Sequence, residues 1–284
     1  MNHSRKATYL LLSLYFILIS CSSSDDDRTS FIEGITSEVL VFPLASGNSW
    51  TYRVGITDNN TREIIINTET VSISESTQEN DEIIGTTDDS DNIEGFMTQL
   101  FTNAELRFEN ERLVVNGRVP LSIPGFEDFS IEFPEVALYD NTLTPSNNFL
   151  TRDIGGDTRE INGNTIRFSY VIQTLNGPNF ESFEFNLIDA FGFGNFIEST
   201  IDIGLSVSLE IEENGEVVLI PIIPFDHVFQ IRNVYAANLG LVESVVEFNY
   251  NVNDIEQFNL ELPLEPNSSF SSTTLQELQS FNLN

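Results

Sequence analysis

The chain has 284 residues, 44 of them acidic and 12 basic, for a formal charge of −32 at pH 7. A field of that sign repels nucleic acid and anionic lipid surfaces, so it excludes binding to either that is driven by overall charge. One cysteine and two histidines exclude a disulfide framework, a thiolate metal site and a zinc site built from clustered histidines.

Arg5 and Lys6 precede an apolar run from Tyr9 to Ile19, and Leu18-Ile19-Ser20-Cys21 then follows the order large, apolar, small, cysteine. The run is shorter than the about 20 residues that span a bilayer, and basic residues ahead of a short apolar core form a signal-peptide pattern. The four residues ending at Cys21 resemble a lipobox, and the whole stretch is similar to a bacterial lipoprotein signal. That resemblance implies cleavage before Cys21 and acylation, by palmitate or a similar chain, of its thiol and its new amino group. Several acyl chains hold a protein on a bilayer where one does not, since each buried methylene contributes about 0.8 kcal/mol. Ser22-Ser23-Ser24-Asp25-Asp26-Asp27 resembles the serine and acidic run of surface-displayed lipoproteins of the Bacteroidota type, which implies an outer-membrane anchor with the body at the cell surface. Residues 1–20 therefore read as a lipoprotein signal peptide, 21–38 as a flexible acidic tether and 39–284 as a single antiparallel β domain. Losing residues 1–20 removes Lys6, the only lysine, and with it any candidate for a Schiff base or a phosphate-binding loop.

Beyond the tether, Gly47-Asn48 turns the chain into a first strand on which Trp50 and Tyr52 share one face. Trp50 reads as a plug in the core because of the area it can bury. Asp88, Asp89 and Asp91 crowd oxygen ligands into one loop and are candidate calcium ligands. Their order departs from the EF-hand pattern, which leaves a solvated turn as the other reading. Period-two alternation marks strands at Phe129-Ile131-Phe133, Ile166-Phe168-Tyr170-Ile172, Phe183-Phe185-Leu187 and Ile201 to Ile211, then at Val246 to Val252 and Phe258 to Leu264. Asn116-Gly117, Asn162-Gly163 and Asn214-Gly215 predict two-residue hairpin turns, because Asn-Gly accepts positive φ. Gly192-Phe193-Gly194 lacks the third glycine and the helix of a phosphate loop and reads as a bend between strands. Asp226-His227 lies in the apolar stretch from Ile220 to Phe229, which predicts a partly buried, hydrogen-bonded histidine at a strand end and not a general base. At the C-terminus Leu275, Leu278 and Phe281 are spaced helically, as in a docked tail or a short helix.

Two segments carry a second resemblance. Phe42-Pro43-Leu44-Ala45-Ser46-Gly47-Asn48-Ser49-Trp50-Thr51-Tyr52 is similar to the F-P-L-x-x-G-N-x-W-x-Y opening of a group of bacterial lipoproteins, and the stretch from Val234 to Glu243 to their late Y-A-x-x-x-G-L-V segment. In that group the two ends enclose one antiparallel β domain of unknown function, and no catalytic role comes with the likeness. Asn238-Leu239 stands where the group has a Gly-Val pair, which implies a different turn before Gly240.

The sequence thus predicts an all-β fold, with antiparallel strands and hairpins in one curved sheet, a half-barrel or a sandwich. No catalytic residue, metal site or cofactor is assigned, calcium at Asp88, Asp89 and Asp91 being the one ion considered. The expected function is a surface-anchored, non-catalytic β domain for binding or display, its partners the membrane through the lipid on Cys21 and a protein, polysaccharide or lipid ligand. The alternative is a carrier of lipid or another hydrophobic ligand, with a half-barrel lined by the Phe-rich runs 126–133 and 180–196. A glycoside hydrolase built on two carboxylates is a more distant alternative, for which 44 acids offer no preferred pair.

Overall fold

A computed structural model describes residues 42–79, 82–87, 93–102, 104–127, 129–142, 149–185, 190–255 and 264–284. Among these residues twelve strands and one short helix are formed: β1 (Ser49–Asp58), β2 (Ile64–Glu79), β3 (Glu82–Thr87), α1 (Phe96–Phe101), β4 (Glu105–Glu109), β5 (Arg112–Pro120), β6 (Ser130–Asp140), β7 (Thr151–Ile161), β8 (Asn164–Phe185), β9 (Ala190–Glu213), β10 (Glu216–Ala236), β11 (Gly240–Asn251) and β12 (Ser269–Asn282). The strands make one antiparallel sheet in the order β6-β5-β4-β3-β2-β1-β12-β11-β10-β9-β8-β7, curled until it is nearly a closed barrel. The expected all-β, curved-sheet architecture is therefore the one observed.

Among the described residues no backbone ladder closes the barrel. The free edge of β6 meets side chains of β7 and β8 instead. The Glu132 amide donates to the Tyr170 hydroxyl (3.0 Å), the Ala137 amide to Thr151 Oγ1 (2.9 Å) and the Asp140 amide to Asn176 Oδ1 (3.1 Å). Thr174 Oγ1 donates to the Ala137 carbonyl at 2.8 Å, and the Asn176 amide group donates to the Asp140 carbonyl. An exposed strand edge is thereby satisfied and blunted at once.

Alternation places the large apolar side chains inside. Ile201, Ile203, Leu205 and Val207 of β9 and Ile166, Phe168 and Ile172 of β8 are all buried. A sheet this wide encloses more space than its own side chains fill, and α1 enters it, burying Phe96, Met97, Leu100 and Phe101. Glu69 of β2 holds the start of this helix, accepting from the Glu94 and Gly95 amides (2.8 and 3.0 Å) and from the Thr98 hydroxyl. A carboxylate there satisfies amides that a helix start leaves open.

The two segments that carried the second resemblance meet at one end of the barrel. Trp50, buried as expected, donates its indole N–H to the Leu239 carbonyl, and the Tyr52 hydroxyl donates to that of Leu241 at 3.1 Å. Phe42 packs on Trp50 with ring centroids 5.3 Å apart and on Tyr235 at 6.4 Å. Gly240 has φ +99°, and a Cβ there would come within 3.1 Å of the Phe42 ring, so both conformation and space demand glycine. The turn before it has Asn238 at φ +58°.

Several expectations are corrected. Asn116-Gly117 lies inside β5; the β4–β5 turn is Asn110-Glu111, at φ +47° and +63°. Gly117 serves packing, because a Cβ would sit 2.9 Å from the Leu100 carbonyl oxygen of α1. Asn162-Gly163 and Asn214-Gly215 do form the expected turns, with positive φ at all four residues. Gly192-Phe193-Gly194 is not a bend between strands: Gly192 and Phe193 pair with Phe183 and Ser182 within the β8–β9 ladder. The C-terminal segment is neither tail nor helix but strand β12, inserted between β1 and β11. Its inward residues include Ser272 and Gln276, which hides period-two alternation of apolar residues. The expected strand from Phe258 to Leu264 falls mainly outside the described residues, as does Leu187.

Candidate ligand pocket

Toward the end of β1 away from Trp50 the interior is not filled. A pocket of about 410 Å³ opens between the inner face of the sheet and the segments that enter the barrel. Phe229 of β10 and Phe248 of β11 form one wall, their rings stacked at 4.3 Å and 7°. Phe96 of α1 approaches Phe229 at 5.4 Å and Phe270 of β12 approaches Phe248 at 5.5 Å. Ser272 and Thr274 line the same space from β12. Being small, they leave open the volume that a second aromatic layer would occupy. Ile56 and Ile65, a cross-strand pair on β1 and β2, continue the lining beyond Thr274, with which Ile56 pairs.

Ile65, 47% exposed, reaches the mouth, whereas Ile64 and Ile66, 62% and 55% exposed, alternate onto the other face of β2. Of the lining residues Glu94 alone is charged, and its carboxylate accepts from the Asn67 amide group at 2.6 Å. Gln99 is held by a 3.0 Å bond from its amide group to the Ile93 carbonyl.

One pleat deeper on the same strands lies a buried polar row. Ser199, Asn233, Ser244 and Gln276 are neighbours in register on β9, β10, β11 and β12. All are fully buried; the polar side-chain atoms of Asn233, Ser244 and Gln276 have no hydrogen-bond partner among the described residues, while Ser199 lies beside the Tyr235 hydroxyl. Gln276 and the Glu69 carboxylate both approach Gly95, at 3.0 and 2.9 Å from where its Cβ would be.

A second depression, of about 460 Å³, crosses the sheet over β8 to β11 and includes Asp202, Gln230, Arg232 and Glu247. Arg232 bridges Glu198 and Glu243 there. His227 is hydrogen-bonded as expected, to Asp202 at 2.8 Å, but it stands in the interior of β10 and not at a strand end, and the residue is exposed. The irregular register of β10 between Pro221 and Phe229 breaks the alternation from which burial was expected.

Of the Phe-rich runs expected to line a carrier cavity, the phenylalanines whose side chains are described are not among the residues lining the pocket. Phe126, Phe129 and Phe133 are buried in the core, Phe129 against Phe168 at 5.1 Å, while Phe180 stacks on Phe196 at 5.4 Å. The pocket is built from Phe96, Phe229, Phe248 and Phe270 instead. Cys21, Asp88, Asp89 and Asp91 lie outside the described residues. Among the described residues no group of three or more His, Cys, Asp or Glu side chains is placed to hold a metal ion, and no helix is long and apolar enough to cross a membrane.

No family model and no curated protein matches the sequence. Among solved structures the chain is similar to a candidate lipoprotein from Parabacteroides distasonis, at 13% identity over 86% of this chain and 99% of that one, with a TM-score of 0.38. It is also similar to a candidate exported protein with a YmcC-like fold from Bacteroides fragilis, at 9% identity, the same two coverages and a TM-score of 0.33.

Proposed function

We propose that the chain is an exported lipoprotein, anchored to the outer membrane through acylated Cys21 and displayed at the cell surface. Its β domain is a non-catalytic binding module for a small apolar ligand or the apolar part of a larger one. The anchor rests on the lipobox and its flanks, the binding role on the pocket. Its volume of about 410 Å³ falls within the about 300–1,000 Å³ of small-molecule sites, and aromatic walls with a few polar groups are the usual lining of such sites.

The test uses the purified, unacylated full chain (Cys21→Ser) and the neutral fluorophore N-phenyl-1-naphthylamine. The fluorophore is expected to bind with enhanced emission, and Thr274→Phe, which projects a ring into the pocket from β12, to abolish that enhancement while leaving the circular dichroism unchanged. Emission that stays at its aqueous level, or that Thr274→Phe leaves intact, rejects the pocket as a binding site.

A further inference from the structure

We infer that the pocket selects its ligand by head-group charge, accepting neutral and cationic amphiphiles and refusing anionic ones. The inference rests on the binding role proposed above and concerns the polar part of the ligand. An amphiphile in this pocket can place its head at the mouth or at the deep end. At the mouth it meets Glu94, the one charged lining residue, whose carboxylate is steadied by Asn67 at 2.6 Å. Toward the interior it meets Ser272 and Thr274, the small uncharged lining residues of β12, and behind that lining lie Gln276 and the Glu69 carboxylate, both beside Gly95.

Neither position offers a cation. Glu69 is already engaged by two backbone amides and the Thr98 hydroxyl, so it has no need of a ligand cation and still opposes a second anion. The hairpin beyond the rim carries Asp58, Arg62 and Glu63, one cation against two acids, and the chain as a whole has a charge of −32. An anion taken out of water requires a counter-charge or several donors, and like charges a few ångströms apart in a protein repel strongly. Hydroxyl and amide groups, by contrast, can hydrogen-bond a neutral head wherever it settles.

The experiment compares 1-decanol, decyltrimethylammonium and decanoate, which share one alkyl chain, as competitors of N-phenyl-1-naphthylamine at neutral pH and below their micellar concentrations. Decanol and decyltrimethylammonium are expected to displace the fluorophore, with decanoate at least about tenfold weaker. Glu94→Gln should narrow that gap, and Glu94→Lys should bring decanoate level with decanol or ahead of it. If decanoate competes as well as decanol in the wild-type chain, or if Glu94→Lys leaves the ranking unchanged, charge selection is wrong while the pocket stands. If the fluorophore binds and none of the three displaces it, alkyl amphiphiles are the wrong ligand class. If the fluorophore itself does not bind, the underlying pocket reading fails first.

Discussion

The hydroxyls of Tyr52, Tyr139 and Tyr235 are sealed in the interior near the Trp50 end, and the Tyr139 and Tyr235 rings pack at a tilt of 53° with centroids 4.8 Å apart. Burial raises all three pKa values well above the ordinary phenol value, and proximity to Tyr235 raises those of Tyr52 and Tyr139 further. Below about pH 10 these groups are protonated whether the chain is folded or not, so their contribution to stability is fully present there. Above that pH the unfolded chain releases the protons and the native chain keeps them. Stability then falls, by up to about 1.4 kcal/mol per pH unit for each tyrosine. Denaturant midpoints are expected to be flat from neutral pH to about pH 9.5 and to drop steeply beyond pH 10, with Tyr235→Phe making the drop shallower. Tyrosinate absorbance from these three should appear only as the chain unfolds. Full titration of every tyrosine in the native protein near the ordinary phenol value of about 10 would contradict their burial.

At the scale of the element, the seam between β6 and β8 invites mutation because it depends on identifiable side chains. Thr174→Val keeps the shape but removes the donor to the Ala137 carbonyl and the acceptor of the Thr151 amide, bonds of 2.8 and 3.1 Å. Leaving such groups unsatisfied costs about 1–3 kcal/mol. The expected signature is local: faster hydrogen exchange in β6 around Ala137 and Asp140, with the β9–β10 ladder unchanged. Uniform exchange across both regions would mean that the seam is not held this way. Nothing in the spacing of Thr174 and Asn176 announced this role, since each occupies an ordinary inward position of a strand. The strands that were legible, β8, β9 and β11, bury continuous apolar faces. β12 was not, because Ser272, Thr274 and Gln276 occupy its inward positions. The β4–β5 turn escaped notice because Asn110-Glu111 contains no glycine, while Gly117 suggested a turn for a reason that was really close packing on α1. The pocket was illegible for a related reason: its walls come from α1 and from strands far apart in sequence, and what creates it is the smallness of Ser272 and Thr274.

For the molecule as a whole, the sheet order resolves into two consecutive meanders, β1 to β6 and β7 to β12, fused in the middle by the β1–β12 ladder. The junction is tight: the Asn284 amide donates to Asn48 Oδ1 at 2.8 Å, and Ser49 pairs with Asn282. A circular permutant that links Asn284 to Phe42 and opens the chain within residues 143–148, between β6 and β7, would therefore run through all twelve strands as a single up-and-down meander. It is expected to fold, to bind the same fluorophore and to melt within a few degrees of the parent, whereas deleting β12 should leave no cooperative transition. A permutant that fails to fold while the β12 deletion melts cooperatively would contradict this topology. The arrangement also has a consequence in time. As the chain emerges from the ribosome or crosses a membrane with its N-terminus leading, β1 can pair at once with β2, but its other neighbour is the last of the twelve strands to arrive. Until then the sheet is open at its centre, so the natural order of the strands delays completion of the fold until β12 is delivered, and the permuted order would let the sheet grow strand by strand as it appears.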